Sequence, residues 1–349
     1  MKILTVVGAR PQFIKASVIT RLIKESDFFD ETMIHTGQHF DENMSDIFFK
    51  EMKISKPKYN LEINNLLHAE MVDKMKISIG EIISKENPQS VLVYGDTNST
   101  LAGAVAALKH NIPTIHIESG LRSFNREMPE EINRILTDHL SSLLFCPNVN
   151  AKKNLEKEGI KNGVIVSGDI MLDAFLFFKK KLKNKLIKSP YILATIHRQE
   201  NTDNSSRLID IFSSLDKINE EIPIVMPIHP RTSKFLKQNQ VSPKINLIKP
   251  LGYLDLLSTL INCEMVITDS GGLQKEAFFA KKKCITVREQ TEWIELVDAG
   301  VNLLSSPKNI LTNFYKLKDQ ERVFTQKFYS NGESGKLIIS SIKDFFDGR

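Results

Sequence analysis

Three features of this sequence predict an α/β protein built from two Rossmann-like domains facing a central cleft. Short β-branched runs alternate with longer amphipathic stretches, as strands alternate with helices in a parallel sheet. The alternation occurs twice, over residues 2–146 and again over 191–287. Between the two lies Phe175–Ser189, with Lys179, Lys180, Lys181, Lys183, Lys185 and Lys188, whose composition is that of a solvated helix-and-linker surface.

In the first series, residues 2–7, 32–35, 90–94, 114–117 and 143–146 read as buried parallel strands. Residues 12–25, 70–86 and 98–109 carry helical spacing, for example Leu101, Val105 and Leu108. The second series places strands at Tyr191–Ile196, Ile224–Pro227, Ile245–Ile248, Met265–Thr268 and Cys284–Val287, with helices at 252–262 and 270–280 among those between. A chain of 349 residues exceeds what one compact core usually serves. The expected division is a first domain over 1–172 and a second over 173–334. Residues 335–349 return to the first domain as an amphipathic helix with Ile338, Ile342 and Phe345 on one face.

Composition narrows the function. The chain is 41% hydrophobic and 26% charged, ordinary for a globular protein. Its 47 basic and 42 acidic residues leave a net charge of +5, too even for a nucleic-acid or membrane-surface protein but suited to a cleft for an anionic ligand. Cys146, Cys263 and Cys284 have no metal or disulfide spacing and read as buried free thiols in a reducing compartment. The N-terminal apolar run is too short for a signal peptide, and no stretch of about 20 apolar residues exists, so a cytoplasmic protein is expected.

The residues able to do chemistry fall at or just beyond the carboxyl ends of the proposed strands, where open α/β sheets bind ligands. The first strand runs into Gly8-Ala9-Arg10-Pro11-Gln12-Phe13-Ile14-Lys15. Gly8 permits a tight turn, Pro11 suits a first helical turn, and Arg10 and Lys15 can reach an anion at that helix N-terminus. Alone, this Arg and Lys also fit an ordinary surface loop. In Tyr94–Thr100, Thr97 or Asn98 can cap a helix, and Asp96 can be a turn residue or a functional acid. Glu118, at a buried strand end before Gly120, has no local structural duty. Pro129 opens a helix with Glu130 and Glu131 in its first turn, which the helix dipole alone can explain. Asp96, Glu118 and Glu131 on successive segments of one sheet edge make a stronger pattern than any one of them. Such a cluster is expected to hold at least one raised pKa, which C–H acid–base chemistry needs.

In the second series, the dense polar run Thr195–Asn201 favours a functional His197 over a core histidine. Pro227-Ile228-His229-Pro230-Arg231 and Thr268–Glu276 follow later strands. The latter reads as strand, small turn and helix, with Ser270, Gly271 and Gly272 presenting N–H groups to a phosphate. There is no Asp-x-Asp and no metal-ligand spacing, so neither a metal nor a cofactor is expected.

Together these blocks resemble the non-hydrolysing UDP-N-acetylglucosamine 2-epimerase family. The match runs through Gly8–Lys15, His35-Thr36-Gly37-Gln38-His39, Gly95–Thr100, His116–Ser123, Pro129–Arg134, Gly168-Asp169, His197–Asn201, Asp269–Glu276 and Arg288–Glu295, in the family's order. The resemblance implies a glycosyltransferase-B-like fold, a homodimer and a UDP-sugar substrate. It implies elimination of UDP across C1–C2 to a 2-acetamidoglucal, then re-addition with C2 inverted. By this resemblance Asp96, Glu118 and Glu131 surround C1–C2, and His197 assists the departing diphosphate. Arg10, Lys15 and Arg198 stabilise its charge, Ser270, Gly271 and Gly272 hold it, Glu276 takes the ribose hydroxyls, and His229 contacts the nucleotide.

The sequence also departs from many family members. Gly8-Ala9-Arg10-Pro11-Gln12 stands in place of Gly-Thr-Arg-Pro-Glu, and Thr291-Glu292-Trp293 in place of Thr-Glu-Arg-Pro. Phe40 and Asp41 follow Gln38-His39 where substrate-activated members carry Arg and Gln, which puts that regulatory pocket in doubt. Trp293 can be core or can shape a sugar pocket. These departures lean towards modified sugars such as UDP-2,3-diacetamido uronates or UDP-N-acetyl-6-deoxyhexoses. Two rivals, a hydrolysing epimerase and a glycosyltransferase on the same scaffold, are disfavoured by Arg10-Pro11 and by the three-carboxylate set respectively.

Overall fold

A computed structural model describes residues 1–38, 52, 54, 56–182, 187, 190–321, 324 and 328–348. The expectation for Phe40 and Asp41 lies outside these residues. The chain divides into two compact units, Met1–Phe177 with Lys327–Arg349, and Phe178–Gln326.

The first unit holds a seven-stranded parallel sheet of β1 (Lys2–Val7), β2 (Asp30–His35), β3 (Tyr59–Asn60), β4 (Ser90–Tyr94), β5 (Thr114–Ile117), β6 (Leu143–Cys146) and β7 (Val164–Val166). Its order is β3-β2-β1-β4-β5-β6-β7, so the chain reverses direction across the sheet between β1 and β4. Helices cover both faces, which is why β4, β5 and β6 are buried at every residue and read as unbroken apolar runs. The edge strands β3 and β7 are two and three residues long and partly exposed. The helix His68–Glu86 buries Met71, Met75, Ile79, Ile82 and Ile83 against strand residues such as Leu4, Ile34 and Val91. Each such side chain contributes about 1.5–3 kcal/mol relative to exposure.

The C-terminal helix Ser334–Asp347 belongs to this unit. Ile338 and Ile342 are fully buried, Phe345 is half-buried, and Gly335 lies against Val18 and Leu22 of the helix Arg10–Lys24. A Cβ at Gly335 would come within 2.7 Å of the Val18 side chain, so a larger residue would push the two helices apart.

The second unit repeats the plan with β8 (Ile192–Thr195), β9 (Ile224–Pro227), β10 (Asn246–Ile248), β11 (Met265–Thr268), β12 (Lys283–Thr286) and β13 (Asn302–Leu304). The parallel order β10-β9-β8-β11-β12-β13 reverses between β8 and β11. All three cysteines are buried free thiols, each pushed up to about 12 by burial. Among the described residues, no helix is long and apolar enough to cross a membrane.

Glu86 closes the helix His68–Glu86 onto the sheet. Its carboxylate meets Lys58 Nζ at 2.8 Å and Lys2 Nζ at 2.9 Å and accepts from the Tyr59 hydroxyl. The contacts with Lys58, then Tyr59 and Lys2, hold its pKa at about 2. A depressed carboxylate stabilises the fold above its unfolded pKa and loses that contribution as pH falls through the folded one. Glu86→Gln is therefore expected to lower Tm at neutral pH, with the difference from wild type shrinking as pH falls towards about 2. Thermal melts across acidic pH check this.

Candidate active site

Gly8 and Gly95 follow β1 and β4, the strands that flank the chain reversal. Gln12 accepts from the Gly8 and Ala9 N–H groups at 2.8 and 3.0 Å, and donates to the Tyr94 carbonyl and Thr100 hydroxyl at 2.8 and 3.0 Å. Gln38 accepts from the Ser99 hydroxyl and N–H at 2.8 and 3.1 Å. A Cβ at Gly8 would lie 2.1 Å from both the Ser99 and Thr36 hydroxyls, so only glycine lets these turns close together.

This frame carries the three carboxylates, and each meets a cation. Arg134, on the helix Pro129–Leu140, pairs with Asp96 through Nη2 and with Glu131 Oε2 through Nη1 at 2.6 Å. Lys15 pairs with Glu118.

Glu131 is the most enclosed of the three. Besides Arg134 it accepts from the Ser123 N–H and hydroxyl, both at 2.9 Å, and from the Phe124 N–H at 3.0 Å. Burial disfavours its charge, but the Ser123 and Arg134 contacts outweigh that and hold its pKa below the usual carboxylate range. The raised pKa expected of the cluster is thus not found at Glu131, because a carboxylate ringed by donors stays ionised. Asp96 is the open member, with its side chain 32% exposed. Glu118 stands at φ +70°, a left-handed conformation that costs a non-glycine residue about 1 kcal/mol or more. Its N–H and that of Ser119 both donate to the Phe145 carbonyl at 3.0 Å, bending the chain at the end of β5.

In the second unit, His197 follows β8 and Asp269 follows β11. Asp269 is fully buried and accepts from the His197 N–H at 3.0 Å, the Arg198 N–H at 2.9 Å and Asn201 Nδ2 at 3.1 Å. His197 Nδ1 lies 3.5 Å from Asp269 Oδ1, so the carboxylate orients the imidazole. The side chain of His197 is 39% exposed, unlike a core histidine. The His229 ring stands 5.7 Å from it, and His229 Nδ1 accepts from the Arg231 N–H at the start of the helix Pro230–Gln238.

Ser270 caps the helix Gly271–Phe279 by accepting from the Leu273 N–H at 3.3 Å. A Cβ at Gly272 would meet nothing within 4 Å, whereas one at Gly271 would come within 2.6 Å of the Glu292 carboxylate, so the helix end is open at Gly272 and bounded by Glu292 at Gly271. Glu276 lies one turn along the same helix. Trp293 is core: it is 3% exposed, with Lys275 Nζ 3.8 Å above its ring.

Sequence reasoning thus named residues that the first unit gathers (Lys15, Asp96, Glu118 and Glu131, with Arg10 opening the helix Arg10–Lys24) and others that the second gathers (His197, Arg198, His229, Ser270, Gly271, Gly272 and Glu276). It gave no role to Gln12, Gln38, Arg134 or Asp269. The signal for Arg134 was present: Glu131 and Arg134 are three apart on one helix, a spacing that places them on the same face.

Cation-held carboxylates thus lie beyond strands of one parallel sheet, and a Ser-Gly-Gly helix start beyond a strand of the other. The profile of the UDP-N-acetylglucosamine 2-epimerase family matches residues 21–343. The chain is 50% identical over 311 residues to the UDP-2,3-diacetamido-2,3-dideoxy-D-glucuronate 2-epimerase of Pseudomonas aeruginosa, covering 87% of this chain and 88% of that one. It is 42% identical to the UDP-N-acetylglucosamine 2-epimerase of Methanocaldococcus jannaschii, covering 97% and 98%. The crystal structure of the M. jannaschii UDP-GlcNAc 2-epimerase in complex with UDP-GlcNAc and UDP superposes with a TM-score of 0.93 at 41% identity, over 99% of this chain and 100% of that one. That of the Neisseria meningitidis enzyme bound to UDP-GlcNAc gives 0.90 at 30% identity, again over 99% and 100%. The chain belongs to the UDP-N-acetylglucosamine 2-epimerase family.

Arg134→Met leaves Glu131 buried beside Asp96 without their shared cation. Removing one partner of a buried ion pair costs about 3–5 kcal/mol. Urea unfolding at neutral pH is expected to show a loss of that order. Because the folded pKa of Glu131 is depressed, the loss shrinks as pH falls and the carboxylates protonate.

Proposed function

We propose that the chain is a cytoplasmic, non-hydrolysing 2-epimerase that inverts C2 of a UDP-linked 2-acetamido sugar for surface-polysaccharide precursors. It works by eliminating UDP and adding it back. The C2 hydrogen is not next to a carbonyl, so its removal must be coupled to departure of the diphosphate from C1. Inversion then needs a proton acceptor on one face of C2 and a donor on the other. Asp96, which is partly exposed and held by Arg134, and Glu118, which is held by Lys15, fit these two tasks. Glu131 supplies the fixed charge that aims Arg134 at Asp96. The observation that carries the reading is this pair of cation-held carboxylates at the reversal point of the first sheet.

The second unit suits the leaving group. Asp269 fixes one side of the His197 ring, leaving Nε2 to protonate or hydrogen-bond the departing diphosphate. The N–H groups at the start of the helix Gly271–Phe279 hold that diphosphate, and Glu276 takes the ribose hydroxyls. Arg10, Lys15 and Arg198 offset its charge, so the reaction proceeds without a metal. His229 lies beside His197 to contact the nucleotide.

The sugar we assign is a UDP-2,3-diacetamido-2,3-dideoxy uronate. The chain is 50% identical to an enzyme named for that substrate, against 42% for one named for UDP-N-acetylglucosamine. The latter sugar is the second reading, favoured by the 0.93 TM-score. The enzyme is proposed to act as a homodimer. Ile77, Leu108 and Leu136 are exposed on three helices of the first unit that pack side by side, a surface a second copy would cover.

A panel of UDP-2-acetamido sugars followed by NMR tests reaction and substrate together. A UDP-linked C2 epimer, formed fastest from the diacetamido uronate, is expected; accumulation of free sugar would mean a hydrolysing enzyme. Asp96→Asn, Glu118→Gln and Glu131→Gln are each expected to lower turnover at least ~100-fold while calorimetry finds UDP binding largely kept. Near-normal turnover in all three would remove the carboxylate mechanism. Light scattering on the eluting protein should give twice the chain mass, and a monomer at working concentration would exclude the dimer.

A further inference from the structure

Behind the carboxylates, and outside the set assigned to the reaction, lies a second polar cluster. His116, on β5, is fully buried. Its Nε2 is 2.7 Å from the carbonyl oxygen of Gly95, the residue before Asp96. Its Nδ1 is 2.7 Å from Asp138 Oδ1. The other Asp138 oxygen accepts from the Gly120 N–H at 3.0 Å and from Arg122 Nη1 at 2.7 Å. Arg122 forks through Nε and Nη2 onto Glu158, both at 2.7 Å.

One carboxylate therefore ties together every segment that carries the proposed acid–base residues. Through His116 it holds the turn of Gly95 and Asp96, where Gly95 stands at φ +63°. Directly it holds Gly120, two residues beyond Glu118. Asp138 itself sits on the helix Pro129–Leu140, seven residues after Glu131 and four after Arg134, on the same face.

A backbone carbonyl can only accept, so Nε2 carries a hydrogen and donates to Gly95. Burial opposes charge on Asp138, but the contacts with His116 and Arg122 outweigh it and keep its pKa below the usual range. The charged groups packed around the ring are Asp138, Arg122 and Glu158.

We propose that His116 is a positioning residue for the epimerisation: anchored by Asp138, it clamps the Gly95 carbonyl and so sets where the Asp96 carboxylate stands relative to Glu118. The inference rests on the reading of Asp96 and Glu118 as the acid–base pair. Nothing in it requires His116 to touch the sugar.

Two substitutions separate the links. An Asn amide ends near the position of Nδ1, so His116→Asn keeps a donor to Asp138 and loses the Gly95 carbonyl. A Gln amide reaches the position of Nε2, so His116→Gln keeps a donor to Gly95. With fold checked by thermal melting, His116→Asn should lower kcat ~10–100-fold with KM changed less than ~2-fold, as for a displaced reacting group. His116→Gln should recover most of that loss. Full kcat in a folded His116→Asn, or a His116→Gln no better than it, overturns the proposal. An inactive wild type with the whole UDP-sugar panel would instead sink the functional reading. The wild-type protein gives an independent arm: long-range nitrogen–proton NMR of the imidazole should show a hydrogen on Nε2 of His116. A bare Nε2 contradicts the clamp whatever the variants do.

Discussion

Arg134 forks between two carboxylates that reach it from different directions: Glu131, one turn back on its own helix, and Asp96, on the turn after β4. The site of the first unit is built outward from that fork. Glu131 could not remain ionised in a buried position without the guanidinium and the three donors from Ser123 and Phe124. Those same contacts fix the loop that follows β5. Asp96 gains a partner without being enclosed, so it keeps a defined orientation and an open face. A helix, a loop and a strand end are thus held in register by one cation.

The same device recurs wherever the fold must hold an irregular turn at a sheet edge. A buried aspartate takes up backbone N–H groups that no helix or strand can satisfy. Asp269 does this for His197 and Arg198 in the second unit, and Asp138 does it for Gly120 in the first. In each case the aspartate also meets a histidine, so the contact that shapes the loop also orients an imidazole. The consequences differ with exposure. The His197 side chain is 39% exposed, whereas His116 is sealed and turns both nitrogens to the protein.

How much of this the sequence disclosed follows from the range of each interaction. Central strands such as β4, β5 and β11 were legible because burial on both faces leaves a continuous apolar run. The edge strands β3, β7 and β13 were not, being two or three residues long and partly exposed, with no period to detect. The carboxylates Asp96, Glu118 and Glu131 were legible as acids at strand ends. Their electrostatic state was not, because it depends on Lys15, which is 103 residues from Glu118, and on Arg134, 38 residues from Asp96. A cluster of acids suggests repulsion and raised pKa values when its partners are unseen; the interleaved cations reverse that at Glu131. Gln12 and Gln38 escaped notice for the same reason, since an amide that ties together segments far apart in sequence looks like any other polar residue until the sheet order is known.

The direct measurement of the central claim, that these cation-held carboxylates exchange a proton at C2, is turnover in heavy water followed by proton NMR of the sugar ring. The UDP-2-acetamido sugar that responds should acquire deuterium at C2 in step with formation of its UDP-linked epimer, with no acceptor present. Epimer formed with the original C2 hydrogen retained would contradict the proposed chemistry.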